Sequence, residues 1–204
     1  MGNLTMLKIK LLFLIIPILL FRYVFEEKIK NDNLIQTTNS NQNWMESFKE
    51  FRNSLYHNNK IKLKSFFKFP VMNENNEIWY LIEDDHQLTF ANSEIKPFTE
   101  TDFNNYYFKV FDQYFINSIL KIKTKELFEK GEYVTAMQED KGISYKTYAI
   151  YDKKAHQIIL NFYTEEKYET DKKGEYEKSE FSKIYYFDIL PNNKLQFNKI
   201  RLAG

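Results

Sequence analysis

The sequence predicts an α+β domain in which helices come first and an antiparallel sheet follows. Two hydrophobic patterns, one before Gly131 and one after it, carry this prediction. Between Trp44 and Gly131, apolar residues recur at every third or fourth position, which is the spacing of a helix with one buried face. After Gly131 the apolar residues alternate with polar ones, which is the spacing of a strand with one buried face.

Two helices open the domain, at residues 44–57 and 60–67. Asn43 can cap the first of them, because its side-chain oxygen can accept a free N–H of the first turn. Pro70 stops helical continuation and forces the preceding residue into an extended conformation. The apolar residues that we expect to face inwards are Phe48, Phe51, Leu55, Ile61 and Leu63.

One long helix follows in the middle of the chain. It begins near Asp102, where Thr99 or Thr101 can cap it, and Gly131 is a plausible end. A break around residues 121–125 is the alternative to a continuous helix. The apolar face consists of Phe103, Tyr107, Phe111, Phe115 and Ile119, which follow one another at steps of four.

The sequence predicts one strand before the long helix and a run of strands after it. These segments are rich in β-branched and aromatic residues, and clusters of Asp, Asn, Lys, Gly and Pro mark the later turns. Strands that are joined by short turns pair antiparallel with their neighbours, so the later strands form a meander. The predicted strands are Glu77–Ile82 and residues 133–137, 144–151, 157–164, 181–190 and 194–202.

Residues 1–25 predict a signal peptide or an N-terminal membrane anchor. Lys8 and Lys10 precede an unbroken apolar run at 11–21 (LLFLIIPILLF), which is the anatomy of an export signal. No pair of small residues suited to signal peptidase follows the run, so we favour an uncleaved anchor. Residues 6–25 are long enough to span a bilayer. A buried core helix is the alternative, and the lack of any polar face disfavours it.

Residues 26–43 are polar, rich in Asn and Gln and without periodicity, which is typical of a flexible tether. The rest of the chain, residues 44–204, has the usual size of one folded domain. A short basic stretch before an apolar run favours export. We therefore expect the domain to face the periplasm or the cell exterior, and to be secreted if the N-terminal segment is cleaved.

Composition and charge exclude several classes of function. The chain has no cysteine, which rules out disulfides, thiolate metal sites and a cysteine nucleophile. The formal net charge of +1 gives no electrostatic reason to expect nucleic acid as a partner. Aromatic residues make up 18% of the chain, enough to line a ligand cavity or a sugar-binding face. Ordinary core packing accounts for them more simply.

The sequence contains no recognisable motif of catalysis, cofactor binding or metal binding. His57, His86 and His156 lie outside the spacings of zinc enzymes, and the five glycines form no nucleotide-binding pattern. Residues 83–86 (EDDH) are the one compact set of hard ligands. Four adjacent residues of an extended segment do not converge on one ion, so we interpret them as a solvated acidic turn. We expect no cofactor and no metal.

Residues 165–180 predict a protruding hairpin of mixed charge. It carries seven acidic and four basic residues, and Tyr168 and Tyr176 could face each other across it. A hairpin of this kind is a candidate docking surface. A solvated loop whose charges guard a sheet edge is the more common arrangement.

The order of the elements resembles the NTF2-like (cystatin-like α+β) fold. The residues that carry the resemblance are Leu63, Phe69-Pro70, Thr101-x-Phe103 and the closing segment 194–204 (KLQFNKIRLAG). It covers residues 44–204 and is similar to small exported bacterial domains of this type. The resemblance implies a sheet curved around a helix as a cone, whose mouth can hold a small molecule. Family members include isomerases and dehydratases with an Asp or His in the cone, and binding modules without activity.

The function predicted is a membrane-anchored or exported binding module without catalytic activity, whose partner is an unidentified protein or small molecule. Aromatic residues such as Trp79, Tyr148 and Tyr185 are candidates for its concave sheet face. No catalytic residue of the family maps onto a position of this chain. One alternative is an enzyme with a carboxylate buried in the cone as a general base. The other is an immunity-type protein that acts at the membrane.

Overall fold

The computed structural model describes residues 43–83, 95–170 and 174–204 of the chain. Within these ranges six helices precede a six-stranded antiparallel sheet, so the predicted α+β class is confirmed. The helices are α1 (Trp44–Tyr56), α2 (Lys60–Lys64), α3 (Glu77–Ile82), α4 (Glu100–Val110), α5 (Gln113–Ile119) and α6 (Thr124–Lys130). The strands are β1 (Glu132–Val134), β2 (Gln138–Asp140), β3 (Ile143–Asp152), β4 (Gln157–Glu169), β5 (Tyr176–Ile189) and β6 (Leu195–Ala203).

The sheet is an antiparallel meander from β3 to β6. Leu160 in β4 shows the register, because it lies opposite Ala149 of β3 on one side and Tyr185 of β5 on the other. β1 and β2 both pair with β3, at different points along the same edge. The predicted strand at 133–137 is therefore an interrupted edge strand, whereas the other strands predicted after Gly131 each correspond to one of β3 to β6.

The sheet has two faces with different surroundings, which we call the inner face and the open face. The inner face packs against the helices through aromatic rings. The ring centroids of Phe115 (α5) and Tyr185 (β5) are 4.2 Å apart, and those of Phe51 (α1) and Phe187 (β5) are 4.8 Å apart. The buried inner-face residues are Tyr145, Thr147, Ala149, Ile158, Leu160, Phe162, Tyr185, Phe187, Leu195, Phe197 and Ile200. The residues between them point to the open face, because side chains alternate along a strand.

Glu77–Ile82 forms the helix α3, so the strand predicted there is wrong. Ile78, Trp79 and Ile82 are all buried, a spacing that fits one side of a short helix. The indole N–H of Trp79 donates to the carbonyl of Lys96 at 3.0 Å, which links α3 to the segment that precedes α4. Six apolar-rich residues do not distinguish a helix from a strand by periodicity alone, and packing against the rest of the domain decides.

The single long helix predicted from 102 to 131 consists of α4, α5 and α6. Thr99 caps α4 in a capping box, since its hydroxyl accepts the Asp102 N–H while the Asp102 carboxylate accepts the Thr99 N–H. The chain leaves the helix at Phe111, and the Asp112 carboxylate then caps α5 by accepting an N–H at 2.8 Å. The break expected around 121–125 lies just before α6. The break at Phe111 was not predicted because the apolar pattern continues across it.

β4 and β5 are longer than predicted and continue together as a two-stranded ribbon. Tyr168 lies opposite Glu177 and donates to its carboxylate at 2.9 Å, whereas Tyr176 lies opposite Glu169. Adjacent residues of a strand point to opposite faces. The expectation that Tyr168 and Tyr176 face each other is therefore wrong, and each tyrosine lies across from a glutamate.

Several predicted features lie outside the described residues. They are the anchor at 1–25, the tether at 26–43 apart from Asn43, and the acidic turn at 83–86 apart from Glu83. The Glu83 carboxylate forms an exposed ion pair with Lys96 at 3.2 Å. In the ranges that the structure describes, no helix has both the length and the hydropathy needed to cross a bilayer.

The neighbours Leu160 and Ile159 point to opposite faces, so they report on the two environments separately. Leu160 is fully buried, and we expect Leu160→Ala to lower the free energy of unfolding by about 2–5 kcal/mol. Ile159 is only partly buried, so we expect Ile159→Ala to cost clearly less. Urea unfolding of the full-length variants measures both changes. Equal losses would mean that the open face is packed as tightly as the inner face.

Candidate functional site: the open face of the sheet

Aromatic rings fill the space between the helices and the inner face. Phe111 stands at the centre of this packing, with its ring centroid 5.7 Å from that of Phe51, 5.8 Å from that of Phe115 and 5.7 Å from that of Tyr185. All four residues are fully or almost fully buried. The side of the sheet where the resemblance implies a ligand cone is thus occupied around Phe111 by core side chains.

Two of the three aromatic residues that the sequence offered for a binding face belong to this core. Trp79 is 5% exposed and Tyr185 is 0% exposed. The Tyr185 hydroxyl donates to the Val110 carbonyl at 2.7 Å, so its polar atom is satisfied inside the protein. Tyr148 alone lies on the open face, where it is paired across the strands with Asn161.

The inner face carries no carboxylate at its buried strand positions. Among the described residues, Glu77 is the only buried acid, and it lies on α3, where the side chains of Asn73 and Asn75 donate to it. The buried polar groups of the strands are hydroxyls: Thr147 Oγ1 lies 2.7 Å from Ser118 Oγ and its N–H donates to Thr135 Oγ1. The alternative of a cone-buried general base lacks the inward strand acid that it requires.

The open face presents tyrosine and aliphatic side chains on the side of the sheet away from the helices. Val134 on β1, which lies opposite Tyr148, is 50% exposed, and Ile150 on β3, which lies opposite Glu132, is 43% exposed. The other members are partly buried between their neighbours. The tyrosine and aliphatic residues of the open face are Val134, Tyr148, Ile150, Ile159, Tyr163, Ile184 and Tyr186.

Two lysines lie over tyrosine rings of the open face. Lys146 Nζ is 4.7 Å from the ring centre of Tyr148 and 5.5 Å from that of Tyr163, and Lys199 Nζ is 5.6 Å from that of Tyr186. Such contacts hold a cation at an aromatic surface. Within the described parts of the chain, neither lysine forms an ion pair with a carboxylate.

The open face is acidic where it meets the β4–β5 ribbon. Desolvation, together with the nearby carboxylates of Glu180 and Glu165, raises the pKa of Tyr163 to about 12. Lys178 pairs with Glu165 at 2.8 Å, and this hydrogen bond lowers the pKa of the Glu165 carboxyl. Tyr163 consequently stays a neutral hydroxyl at physiological pH, and it donates to Glu165 at 3.4 Å.

Asn161 lies at the centre of the open face, between Tyr148 on β3 and Ile184 on β5. Its Oδ1 atom is shielded from water and accepts no hydrogen bond from the residues that the structure describes. A buried acceptor without a donor costs free energy, because it has given up water and gained nothing.

The two histidines in the described ranges, His57 and His156, line separate depressions. His57 is exposed at the end of α1, and its ring contacts Tyr56 at 4.9 Å. His156 is exposed in a turn with a φ of 52°, and His86 lies outside the described residues. No three His, Cys, Asp or Glu side chains in the described ranges lie together as metal ligands.

Sequence reasoning offered Tyr148 for the concave face, whereas the structure has it on the opposite, open face, and the other residues of the open face were not proposed. Residues 157–164 (QIILNFYT) are apolar at odd and even positions alike, so alternation yields two apolar sets instead of one. Only the position of the helices assigns one set to the core. The signal in the sequence that could have revealed the open face was β4, which is apolar on both sides. A sheet with helices on one side only leaves one of these two apolar sides uncovered by helices.

The chain matches no known family model, no curated protein and no solved structure.

Tyr185 provides a test of the filled interior through pH. Burial, and then the negative charge of Asp112, raises the pKa of Tyr185 well above the ordinary value of about 10. As the pH rises, the unfolded chain therefore releases the Tyr185 proton before the folded protein does. The stability that the folded protein gains by keeping this proton is complete below pH 10 and is lost as the pH rises further. We expect the free energy of unfolding to fall above pH 10, and to fall less steeply in Tyr185→Phe. Urea unfolding between pH 8 and 11 measures this.

At neutral pH the same Tyr185→Phe substitution leaves the Val110 carbonyl without its buried donor. We expect this loss to cost about 1–3 kcal/mol of stability. Parallel pH profiles for the two proteins would show instead that Tyr185 reaches water in the folded state.

Asn161 gives a stability prediction with an unusual sign. Asn161→Leu removes the shielded oxygen that has no donor, so we expect the free energy of unfolding to stay unchanged or to rise by up to about 1 kcal/mol. Thr147→Val is the control, because it removes a hydroxyl that is partnered by Ser118, and we expect a loss of about 1–3 kcal/mol. Thermal unfolding measures both. A clear loss in Asn161→Leu would mean that the amide oxygen is satisfied in the free protein.

Proposed function

We propose that this protein is a membrane-anchored or exported binding module without catalytic activity, which docks a protein partner on the open face of its sheet. One observation carries the proposal: tyrosine and aliphatic side chains line a sheet face that lies away from the helices. Contiguous apolar surface of this kind marks interaction sites in folded domains. In this proposal residues 1–25 attach the protein to the membrane, and residues 26–43 are the tether.

The composition of the open face favours a protein as the partner. Its centre holds Ile159 on β4, which lies opposite Tyr186, and Ile184 on β5, which lies opposite Asn161. Lys146 and Lys199 lie towards opposite sides of it, on β3 and β6. Protein interfaces combine an apolar and aromatic centre with a polar rim, and tyrosine is enriched among the residues that carry most of the binding energy.

The edge of the sheet at β6 supports docking on the face over docking by strand addition. Three N–H groups of this edge strand already have acceptors from the helical layer and its loops. Leu195 donates to Ser47 Oγ (2.9 Å), Phe197 to the Phe66 carbonyl (2.7 Å) and Ile200 to Asn73 Oδ1 (3.0 Å). Strand addition needs free backbone groups at the edge. We therefore expect a partner to contact the side chains of the open face and not the backbone of β6.

The NTF2-like relationship is part of the proposal, supported by the order of the elements, with helices first and the antiparallel sheet last. In that family resemblance the ligand enters between the sheet and the helix. Here Phe111 and its ring neighbours occupy this side. We therefore place the binding surface on the reverse side of the sheet.

Cysteine protection in the producing cells tests the proposal, because the native chain has no cysteine. Val134→Cys places a thiol on the open face at a position that is 50% exposed, and Met72→Cys is a control at 53% exposure away from it. We expect a maleimide to label Val134→Cys several-fold more slowly in cells than in the purified full-length protein, because a partner covers it. The rate for Met72→Cys should be equal in both.

Adding Ile159→Lys to Val134→Cys should restore fast labelling in cells, since a charge at the apolar centre opposes docking. Equal labelling of the two cysteines in cells would contradict the proposal. Slow labelling of Val134→Cys in vesicles of bare lipid, without other proteins, would also contradict it, because the membrane itself would then cover the face.

A further inference from the structure

A groove on the helical layer is separate from the open face. It runs between the end of α1 and the junction of α4 with α5, and its volume is about 360 Å³. Tyr56 and Phe108 form its rim and are 65% and 55% exposed. Leu55 and Phe111 form part of its lining and are almost fully buried. The groove thus reaches from solvent to the edge of the aromatic core.

The lining of the groove combines aromatic and aliphatic side chains with polar groups, and none of its residues carries a formal charge at neutral pH. The polar groups are the amides of Asn58 and Gln113 and the hydroxyls of Tyr56 and Tyr107. The Asn58 side chain accepts a hydrogen bond from the Tyr107 hydroxyl, and the Gln113 amide donates to Asn117 at 2.8 Å, which leaves the Gln113 oxygen for another donor. Small-molecule sites combine a mainly apolar concave lining with a few polar groups, at volumes of roughly 300–1,000 Å³.

Two other depressions differ from the groove in their lining. One, between α1 and α2, is lined by polar residues, and the ion pair of Lys62 with Glu50 (3.0 Å) lies across it. The other lies at one end of the sheet and is lined by His156, Ile189, Leu190, Pro191 and Asn193. Of the three, the groove beside Phe108 alone has Phe and Tyr side chains in its lining.

We propose that this groove binds a small, neutral, planar aromatic molecule. The ring would lie between Tyr56 and Phe108 and over Ile116, because aromatic rings pack favourably in stacked and edge-to-face arrangements. A charged ring would lose its hydration without gaining a counter-charge from the lining, since no lining side chain is charged at neutral pH. The polar atom of the ligand, a ring N–H or hydroxyl, has an acceptor in the Gln113 oxygen.

Photolabelling with a diazirine derivative of indole, applied to the full-length protein, tests the proposal. We expect label on the peptides that contain Tyr56, Phe108 or Ile116, and we expect unmodified indole to compete for it in a saturable way. Phe108→Lys should reduce the competable labelling at least about tenfold, since the substitution places a charge at the apolar rim. Ile61 was expected from the sequence to face inwards, and this is wrong, because its side chain is 82% exposed on α2. Since Ile61 does not line the groove, Ile61→Lys is the matched control and should leave the labelling unchanged.

Three results would overturn the inference. The first is labelling that indole does not compete away, and the second is equal labelling of the Phe108→Lys and Ile61→Lys variants. The third is stronger competition, by about tenfold or more, from a tryptophan-containing peptide than from indole, which would assign the groove to a side chain of a protein partner. The result for the groove is independent of docking on the open face, so Ile159→Lys should label like the unchanged protein.

Discussion

The packing of Phe111 is the constraint on which the rest of the structure depends. This residue ends α4, and the chain turns there before Asp112 starts α5. Its ring then reaches the rings of α1, β5 and β6, including Phe51, Tyr185 and Phe197. Because close-packed interiors leave little free volume, the helical layer and the sheet hold each other in one arrangement around this residue.

A filled interior has a direct consequence for function. The helix-facing side of the sheet around Phe111 is taken by core side chains, so binding has to use surfaces that the core does not consume. The open face is one of them, with Lys146 and Lys199 poised over tyrosine rings and the Asn161 oxygen without a donor. The groove at Phe108 is the other, and its inner wall is the same Phe111 that organises the core.

The two proposed sites differ in chemistry because they belong to different layers. The sheet face repeats its side chains at the spacing of neighbouring strands, which gives a broad surface suited to another protein. The groove lies where the ends of helices meet, and the turn at Asn58 with the break at Phe111 leaves a concavity there. A narrow concave space bounded by rings suits a small planar molecule.

Much of the fold could be read from residue spacing, and the errors have common causes. The meander was predictable because β-branched and aromatic residues are frequent in β3 to β6 and short turns impose antiparallel pairing. Glu77–Ile82 was assigned to a strand because six residues fit both periods, and the burial of Trp79 decided for a helix. The break at Phe111 was not predicted, because an apolar residue at the helical spacing of four does not reveal the backbone angles at that position.

The sequence by itself determined the class of the fold, the order of its elements and the absence of cysteine chemistry, since these follow from composition and local periodicity. Which apolar face of β4 is core and which is exposed was decided by the tertiary structure alone. Ile159 and Leu160 are equally apolar and adjacent in the chain. The helices pack on one side of the sheet, so Leu160 became core and Ile159 became part of the candidate site, because burial depends on contacts between residues distant in sequence.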